Sequence, residues 1–284
     1  MKDTATALIT GGTSGIGADF ARSLAARGYD IVLVARDATR LAQMAAELPT
    51  NVETISADLS DRADVARIAE RLEDTERPID MLVNNAGFGI HTSLLTRDIA
   101  PLDRAFEVMC RTVLVLGGAA ARAMRARGSG NIINISSTAG FITMGAYSAT
   151  KAWVTSYSEG LSVELRKTGV QVTALCPGWV RTEFHERAGI RTNSIPDFLW
   201  VDSHSLVEKC LRDVSRGKVI SIPTVRYKTL IWFARHAPKS GVRWVSAAIS
   251  SGRSESSDDD HSSGTGAGDG AVATETGSTE SGKP

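Results

Sequence analysis

The sequence has no net charge: 32 Lys and Arg stand against 32 Asp and Glu over 284 residues. Without a basic excess there is no electrostatic footprint for nucleic acid, and none is expected as a partner. Cysteine is scarce, with Cys110, Cys176 and Cys210 widely spaced and odd in number. None has metal-ligand spacing, so no metal site is expected. They read as small buried hydrophobes in a reducing compartment. No charged segment leading into an apolar one opens the chain, and no apolar run is long enough to span a bilayer. Neither a secretory signal nor a membrane span is expected, and the expected location is cytoplasmic. What is present is ordinary for a globular protein, 42% hydrophobic and 23% charged, and long enough for one large α/β domain.

The neutral total hides an asymmetry. From Ser251 to Pro284 there are seven acids and two bases, a net of −5, which leaves about +5 on the body. This tail is Ser, Gly, Thr and acid with almost no apolar residue, so it is expected to be disordered over 251–284.

The start of the chain reads as strand, glycine turn, helix. Ala5 to Thr10 is apolar and stops at Gly11-Gly12-Thr13-Ser14-Gly15-Ile16-Gly17, after which Phe20, Leu24 and Ala25 share one helical face. Gly11 permits a tight turn, Gly15 lets the backbone approach a pyrophosphate, and Gly17 allows close packing of the helix, whose N-terminus offers N–H groups to phosphate. At the end of the second strand, Ile31 to Ala35, Arg36 and Arg40 favour the 2′-phosphate of NADP over NAD. The competing reading makes Arg36 a solvated charge and lets Asp37 take the ribose, although Asp37 is better placed as an N-cap.

A third strand, Val52 to Ala57, leads into Asp58-Leu59. A fourth, Asp80 to Val83, leads into Asn84-Asn85-Ala86-Gly87, where Asn85 either walls an adenine ribose or ties central strands together. A long helix is expected over 101–127, a fifth strand over Asn131 to Ser136, a helix over 146–168, a sixth strand over Val170 to Leu175 and a last over Lys218 to Ile222. Alternating strands and helices predict a doubly wound parallel sheet with ligands at the strands' carboxyl ends. The turns at 11–17, 36, 58, 85–87, 137 and 177–182 all fall there.

Tyr147 and Lys151 lie four residues apart and stack on one helix face. A phenol beside an ammonium ionises more readily, the chemistry of a proton donor and acceptor. The bland alternative for such a pair is solvated surface. Ser136 and Ser137 precede it.

Together these motifs resemble the short-chain dehydrogenase/reductase family in its single-domain form, over about residues 4 to 222. The matching pieces are Thr10-Gly11-x-x-x-Gly15-Ile16-Gly17, Asn84-Asn85-Ala86-Gly87, Ser137, Tyr147-x-x-x-Lys151 and Pro177-Gly178-x-Val180-x-Thr182. The resemblance implies a Rossmann-like seven-stranded parallel sheet binding NADPH. It implies hydride transfer to a carbonyl, with Tyr147 as the acid, Lys151 lowering the phenol pKa and holding the nicotinamide ribose, and Ser137 holding the carbonyl oxygen. Ser137, rather than Ser136, stands three before Gly140 as in the family pattern. Thr182 and Val180, in the turn begun by Pro177 and Gly178, would hold the carboxamide. Pairing through the two long central helices, as a homodimer or homotetramer, is implied too.

Two departures bear on activity. Met109 stands where the family usually has an Asn that relays protons through water to the lysine, and Gly140 to Tyr147 is about three residues shorter than in close relatives, which predicts a more open pocket.

Residues 196 to 250 are similar to a narrower branch, the small actinobacterial ketoacyl reductases that include the mycolate-precursor reductase. This implies a 3-oxoacyl or other lipid-like substrate, with residues of about 183–200, among them Phe184, Ile190, Ile195, Phe198, Leu199 and Trp200, either as a lid or as ordinary core. The expected organisation is a 1–223 NADP-binding domain, a 224–250 basic helical extension and the tail. Thr224 to Arg253 has six bases, no acid and interleaved Trp and Phe, which suits the inner face of an anionic membrane or packing against the domain or a second subunit. The leading expectation is a reductase of apolar ketones. A hydroxysteroid or other secondary-alcohol dehydrogenase is the alternative enzyme, and an NADP-binding sensor or adaptor with little turnover the alternative of another class.

Overall fold

The structure is a computed structural model that describes residues 4–90, 92–181 and 199–236. Its frame is a seven-stranded parallel sheet in the order β3-β2-β1-β4-β5-β6-β9. The strands are β1 (Thr6–Thr10), β2 (Asp30–Ala35), β3 (Val52–Ser56), β4 (Met81–Asn84), β5 (Gly130–Ile135), β6 (Val170–Leu175) and β9 (Ile220–Ser221). Their register is unshifted and parallel throughout, for example Leu8 beside Val32 and Leu82, and Ile133 beside Thr173.

The central strands are near-continuous apolar runs because helices cover both faces. Alternation sorts their side chains. Ala7, Ile9, Ile31, Leu33, Val83 and Ile133 face a core shared with Phe20, Leu24, Leu206 and Cys210. Leu8, Val32, Val34, Leu82 and Ile132 face the opposite core with Ile68, Leu72, Leu116 and Met124. The first core belongs to α1 (Gly15–Ala25), α2 (Ala38–Glu47) and α7 (Ser203–Val214), the second to α3 (Arg62–Glu73) and α5 (Thr112–Arg127). Val52–Ser56 lies at the sheet edge, and its half-exposed residues reflect that place.

Local chemistry starts and stops these helices. Asp37 caps α2 by accepting from the amides of Thr39 and Arg40 at 3.0 and 3.1 Å, so its carboxylate is engaged there and not directed toward a ribose. Asp61 and Asp202 cap α3 and α7 in the same way. Gly128, in the left-handed region at φ 76°, ends α5.

The long helix expected over 101–127 is divided. Α4 (Ala100–Phe106) runs into a π turn, Glu107–Arg111, before α5. Both the amide and the hydroxyl of Thr112 reach the Glu107 carbonyl, five residues back, and the hydroxyl also lies 2.9 Å from the Leu59 carbonyl. That link to the neighbouring loop is what an isolated helical pattern does not reveal. The last strand is shorter than the expected Lys218–Ile222, with only Ile220 and Ser221 pairing to β6. A second small sheet pairs β7 (Trp179–Val180) with β8 (Trp200–Val201). Helix α6 (Gly145–Glu164) lies against β5 and β6, and α8 (Val225–His236) follows β9. Among the described residues no helix is long and apolar enough to cross a membrane. The expected lid residues up to Phe198 and the chain beyond His236, tail included, lie outside the described residues.

A buried polar ladder joins β4, β5 and α6. Asn84 Nδ2 donates to Asn134 Oδ1, Asn134 Nδ2 donates to Ser158 Oγ, and Ser158 donates to the Val154 carbonyl at 2.7 Å. Replacing Asn134 by Ala strands two buried groups, and should lower unfolding free energy by about 2–4 kcal/mol in urea titration. Adding Asn84→Ala should cost less than the sum of the two single changes, because the partner is removed as well.

Candidate active site

The sheet reverses its winding between β1 and β4, and the crevice at their carboxyl ends is the expected ligand position. Two side chains build it. The buried Thr10 hydroxyl accepts from the amides of Asn85 and Ala86 at 3.0 and 3.1 Å and lies 3.4 Å from the Val83 carbonyl. Asn85 Nδ2 donates back to the carbonyls of Thr10 and Gly11 at 3.0 and 3.1 Å. Asn85 therefore ties the central strands, the second of its two sequence readings, and sits at the crevice while doing so.

The glycine turn lies directly over this stitch. A Cβ on Gly17 would stand 2.2 Å from the Gly11 carbonyl oxygen and 2.5 Å from Asn85 Nδ2, so only glycine brings α1 this close. Ser14 precedes the helix, Thr13 and Ile16 flank it half-buried, and no acid lies in the first turn. The amide end of α1 therefore has no carboxylate of its own first turn to compete with a bound anion. Arg36 is exposed at the end of β2, and its guanidinium acts on Asp58, which follows the neighbouring strand β3. Asp58 is held below the usual carboxylate range by the Ser60 amide, against partial burial, with help from Arg104 and Arg36. Leu59 beside it is buried in the core. A glycine turn closed to a Cβ at Gly12 and Gly17 and a helix N-terminus free of acid in its first turn fit the phosphates of a dinucleotide.

The second half of the site lies on β5 and α6. Ser136 is buried, with its hydroxyl 2.7 Å from both the Lys151 carbonyl and the Thr155 hydroxyl. Ser137 begins a 3-10 turn, Thr138–Phe141, and accepts from the Ala139 amide at 3.1 Å. Its side chain is also hydrogen-bonded to Tyr147. The geometry thus separates the two serines: Ser136 is held within the packing, and Ser137 faces the phenol. Gly140 backs this turn onto the main chain of Lys151.

Lys151 is buried, and its Nζ donates to the Ile135 carbonyl at 2.9 Å while lying 5.7 Å from the centre of the Tyr147 ring. The expected lowering of the phenol pKa by this ammonium is not what this arrangement gives. Burial pushes Tyr147 up to about 12, opposed by the Ser137 hydrogen bond, and brings Lys151 down to about 8. Desolvation outweighs the charge because the ammonium is turned toward Ile135. Met109, in the π turn, is buried, and its sulfur and Lys151 Nζ both face Gly87, within 3.1 and 3.7 Å of where a Cβ there would stand. Cys110, beside them, is raised to about 11 by burial, with Lys151 opposing.

Pro177 and Gly178 lead into Val180, which is buried in β7, and the Pro177 carbonyl accepts from the Thr138 amide at 2.9 Å. Thr182 lies outside the described residues. Tyr227 of α8 also reaches this turn, donating to the Leu199 carbonyl at 2.8 Å and accepting from the Trp179 amide at 3.1 Å. The basic and aromatic character of this segment masks that inward contact in the sequence. The signal for an inward face was the Tyr227/Ile231 pair at helical spacing, and both are buried.

The family profile described as short chain dehydrogenase matches residues 5–192. The chain belongs to that family, and is an NAD(P)H-dependent oxidoreductase of its single-domain type acting on a carbonyl substrate. A short-chain dehydrogenase from Sphingobium yanoikuyae, solved in complex with NADPH, is similar at TM-score 0.72 and 33% identity, over 92% of this chain and 98% of that one. The bulky-bulky ketone specific alcohol dehydrogenase from Comamonas testosteroni is similar at TM-score 0.70 and 32% identity, over 85% and 96%. A protein named as a monensin polyketide synthase ketoacyl reductase in Streptomyces virginiae is 39% identical over 195 residues, 64% of this chain and 72% of that one.

Lys151 gives the site a pH signature. It is charged below about pH 8 and neutral above it, while Tyr147 stays protonated to about 12. The kcat/KM for ketone reduction should therefore hold at lower pH and fall as pH rises through about 8. Lys151→Arg, which keeps its charge, should lose that limb in the pH profile; an unchanged limb would assign it to another group.

Proposed function

We propose that this protein reduces the keto group of an apolar, acyl-chain substrate, a 3-oxoacyl thioester or similarly lipid-like ketone, to a secondary alcohol with NADPH. The observation that carries this reading is the meeting of Tyr147 with Ser137 above a buried Lys151, at the carboxyl end of β5 and beside the phosphate-type turn. The glycine turn from Gly11 to Gly17, with Thr13, Ser14, Gly15 and Ile16, would take the pyrophosphate. Arg36 would take a 2′-phosphate, while Asp58, Leu59 and Asn85 to Gly87 would line the adenosine side. Tyr147, Lys151, Pro177, Gly178, Val180 and Thr182 would flank the nicotinamide. When bound, the reduced cofactor supplies a hydride to the carbonyl carbon. Tyr147 gives its proton to the carbonyl oxygen, which Ser137 holds by a hydrogen bond, and the charged Lys151 would hold the nicotinamide ribose.

The substrate class draws support from the ketone and ketoacyl specificities named for two relatives, and the choice of NADPH from the Sphingobium complex and the exposed Arg36. The mycolate-precursor likeness rests partly on residues outside the described set and adds only to the expectation of an acyl chain. A second reading, an NADPH-binding protein with little turnover, is favoured by Met109, whose thioether occupies the space beside Lys151. Contact with an anionic membrane is supported by α8, where Val225, Leu230, Trp232 and Phe233 are exposed beside Arg226 and Lys228.

NADPH oxidation should be measured with 3-oxoacyl thioesters of rising chain length. The expected result is a rate that rises with length and falls at least about 100-fold in Tyr147→Phe with NADPH affinity retained. Tight NADPH binding without turnover, and activity gained in Met109→Asn, would support the second reading instead. Arg36→Ala should lower kcat/KM for NADPH about tenfold or more and leave the value for NADH nearly unchanged, in line with a lost charge-assisted contact.

A further inference from the structure

Tyr227 makes three contacts that converge on one turn. Its ring lies flat against Gly178, where an added Cβ would stand 2.0 Å from Cζ and 2.1 Å from Cε2. Its hydroxyl accepts from the Trp179 amide at 3.1 Å and donates to the Leu199 carbonyl at 2.8 Å. Trp179 begins β7, and Leu199 immediately precedes β8, so a single oxygen binds the same end of both paired strands. The residue is 6% exposed, and burial pushes its phenol up, which preserves the proton that the Leu199 bond requires. The helix that carries it also lies against the Thr138–Phe141 turn begun by Ser137, and Thr138 is in turn bonded to the Pro177 carbonyl.

We propose that Tyr227 is a positioning residue for the nicotinamide end of the dinucleotide, fixing the Pro177–Val180 turn by its ring under Gly178 and its hydroxyl between Trp179 and Leu199. This makes α8 a working wall of the active site rather than an appendage to it. The inference rests on the reading of that turn as the nicotinamide contact. Tyr227 itself touches no reacting atom. Its effect passes through the backbone of residues 177–180, whose amides and carbonyls have a fixed orientation only while the turn is held.

The hydroxyl and the ring can be tested separately. Tyr227→Phe keeps the ring and loses both hydrogen bonds. The dissociation constant for NADPH, followed by fluorescence titration, should rise about five- to tenfold, the loss expected for a net hydrogen bond or two. The KM for the ketone at saturating NADPH should change little, and the loss of NADPH affinity should persist at temperatures well below the variant's thermal midpoint, a split that a purely structural role would not produce. Gly178→Ala should weaken NADPH binding strongly, because the new methyl meets the ring. In a Tyr227→Ala background the same change should be tolerated, so that the double variant binds NADPH better than Gly178→Ala alone. Unaltered NADPH affinity in Tyr227→Phe, in a protein whose wild type binds NADPH, would overturn the inference and leave the proposed function standing. So would a Gly178→Ala effect of the same size in both backgrounds. A wild type that does not bind NADPH at all would overturn both.

Discussion

The arrangement depends on a hydrogen-bonded stitch between Thr10 and Asn85. Where β1 and β4 end, the sheet stops supplying partners, and the amides and carbonyls emerging from it must be satisfied by something other than a neighbouring strand. The Thr10 hydroxyl takes two of those amides, and the Asn85 carboxamide covers two carbonyls. The result is a rigid floor at the switch point. Gly17 can press α1 onto that floor only because it has no side chain, and the mouth of the helix is thereby aimed across the crevice. Without the floor there would be a glycine loop but no fixed direction for its amides.

The other half of the candidate site gives up stability to hold two titratable groups away from water. Lys151 is a buried ammonium with one carbonyl partner, and its lowered pKa is the mark of that unfavourable burial. Tyr147 is held in its neutral form by the same dry surroundings. Desolvation thus sets both groups, pushing the acid up and the base down, so that near neutral pH each carries its proton. Polar ties carry the cost elsewhere: the Asn84–Asn134–Ser158 ladder beneath and the Ser136 bonds to Lys151 and Thr155 hold α6 at its register on the sheet. Such exchanges of stability for function are common at active sites.

Much of this was legible in the sequence, and for identifiable reasons. Apolar strands ending in glycine, asparagine or serine announce a parallel sheet and the end of it that binds ligands. Local rules also sufficed for the Asp37 cap and for the pairing of Tyr147 with Lys151 on one face. Illegible were the contacts made between elements. The π turn arises from Thr112 meeting Leu59, more than fifty residues away in sequence. The direction of the Lys151 ammonium depends on the Ile135 carbonyl, and spacing along α6 says nothing about it. The β7–β8 pair and the reach of Tyr227 join parts of the chain separated by some twenty to fifty residues, where no periodicity records the meeting.

The long reach of that last contact has a consequence for how the protein is made. Chains emerge from the ribosome in order and tend to fold as they emerge. The floor made by Thr10 and Asn85 draws its hydrogen-bond partners from the first ninety or so residues alone. The Pro177–Val180 turn is held by Tyr227 of α8, some fifty residues further along. The groups that complete the two ends of the crevice therefore leave the ribosome at different times. A chain halted between them would carry every group of the floor and lack the tyrosine that holds the turn.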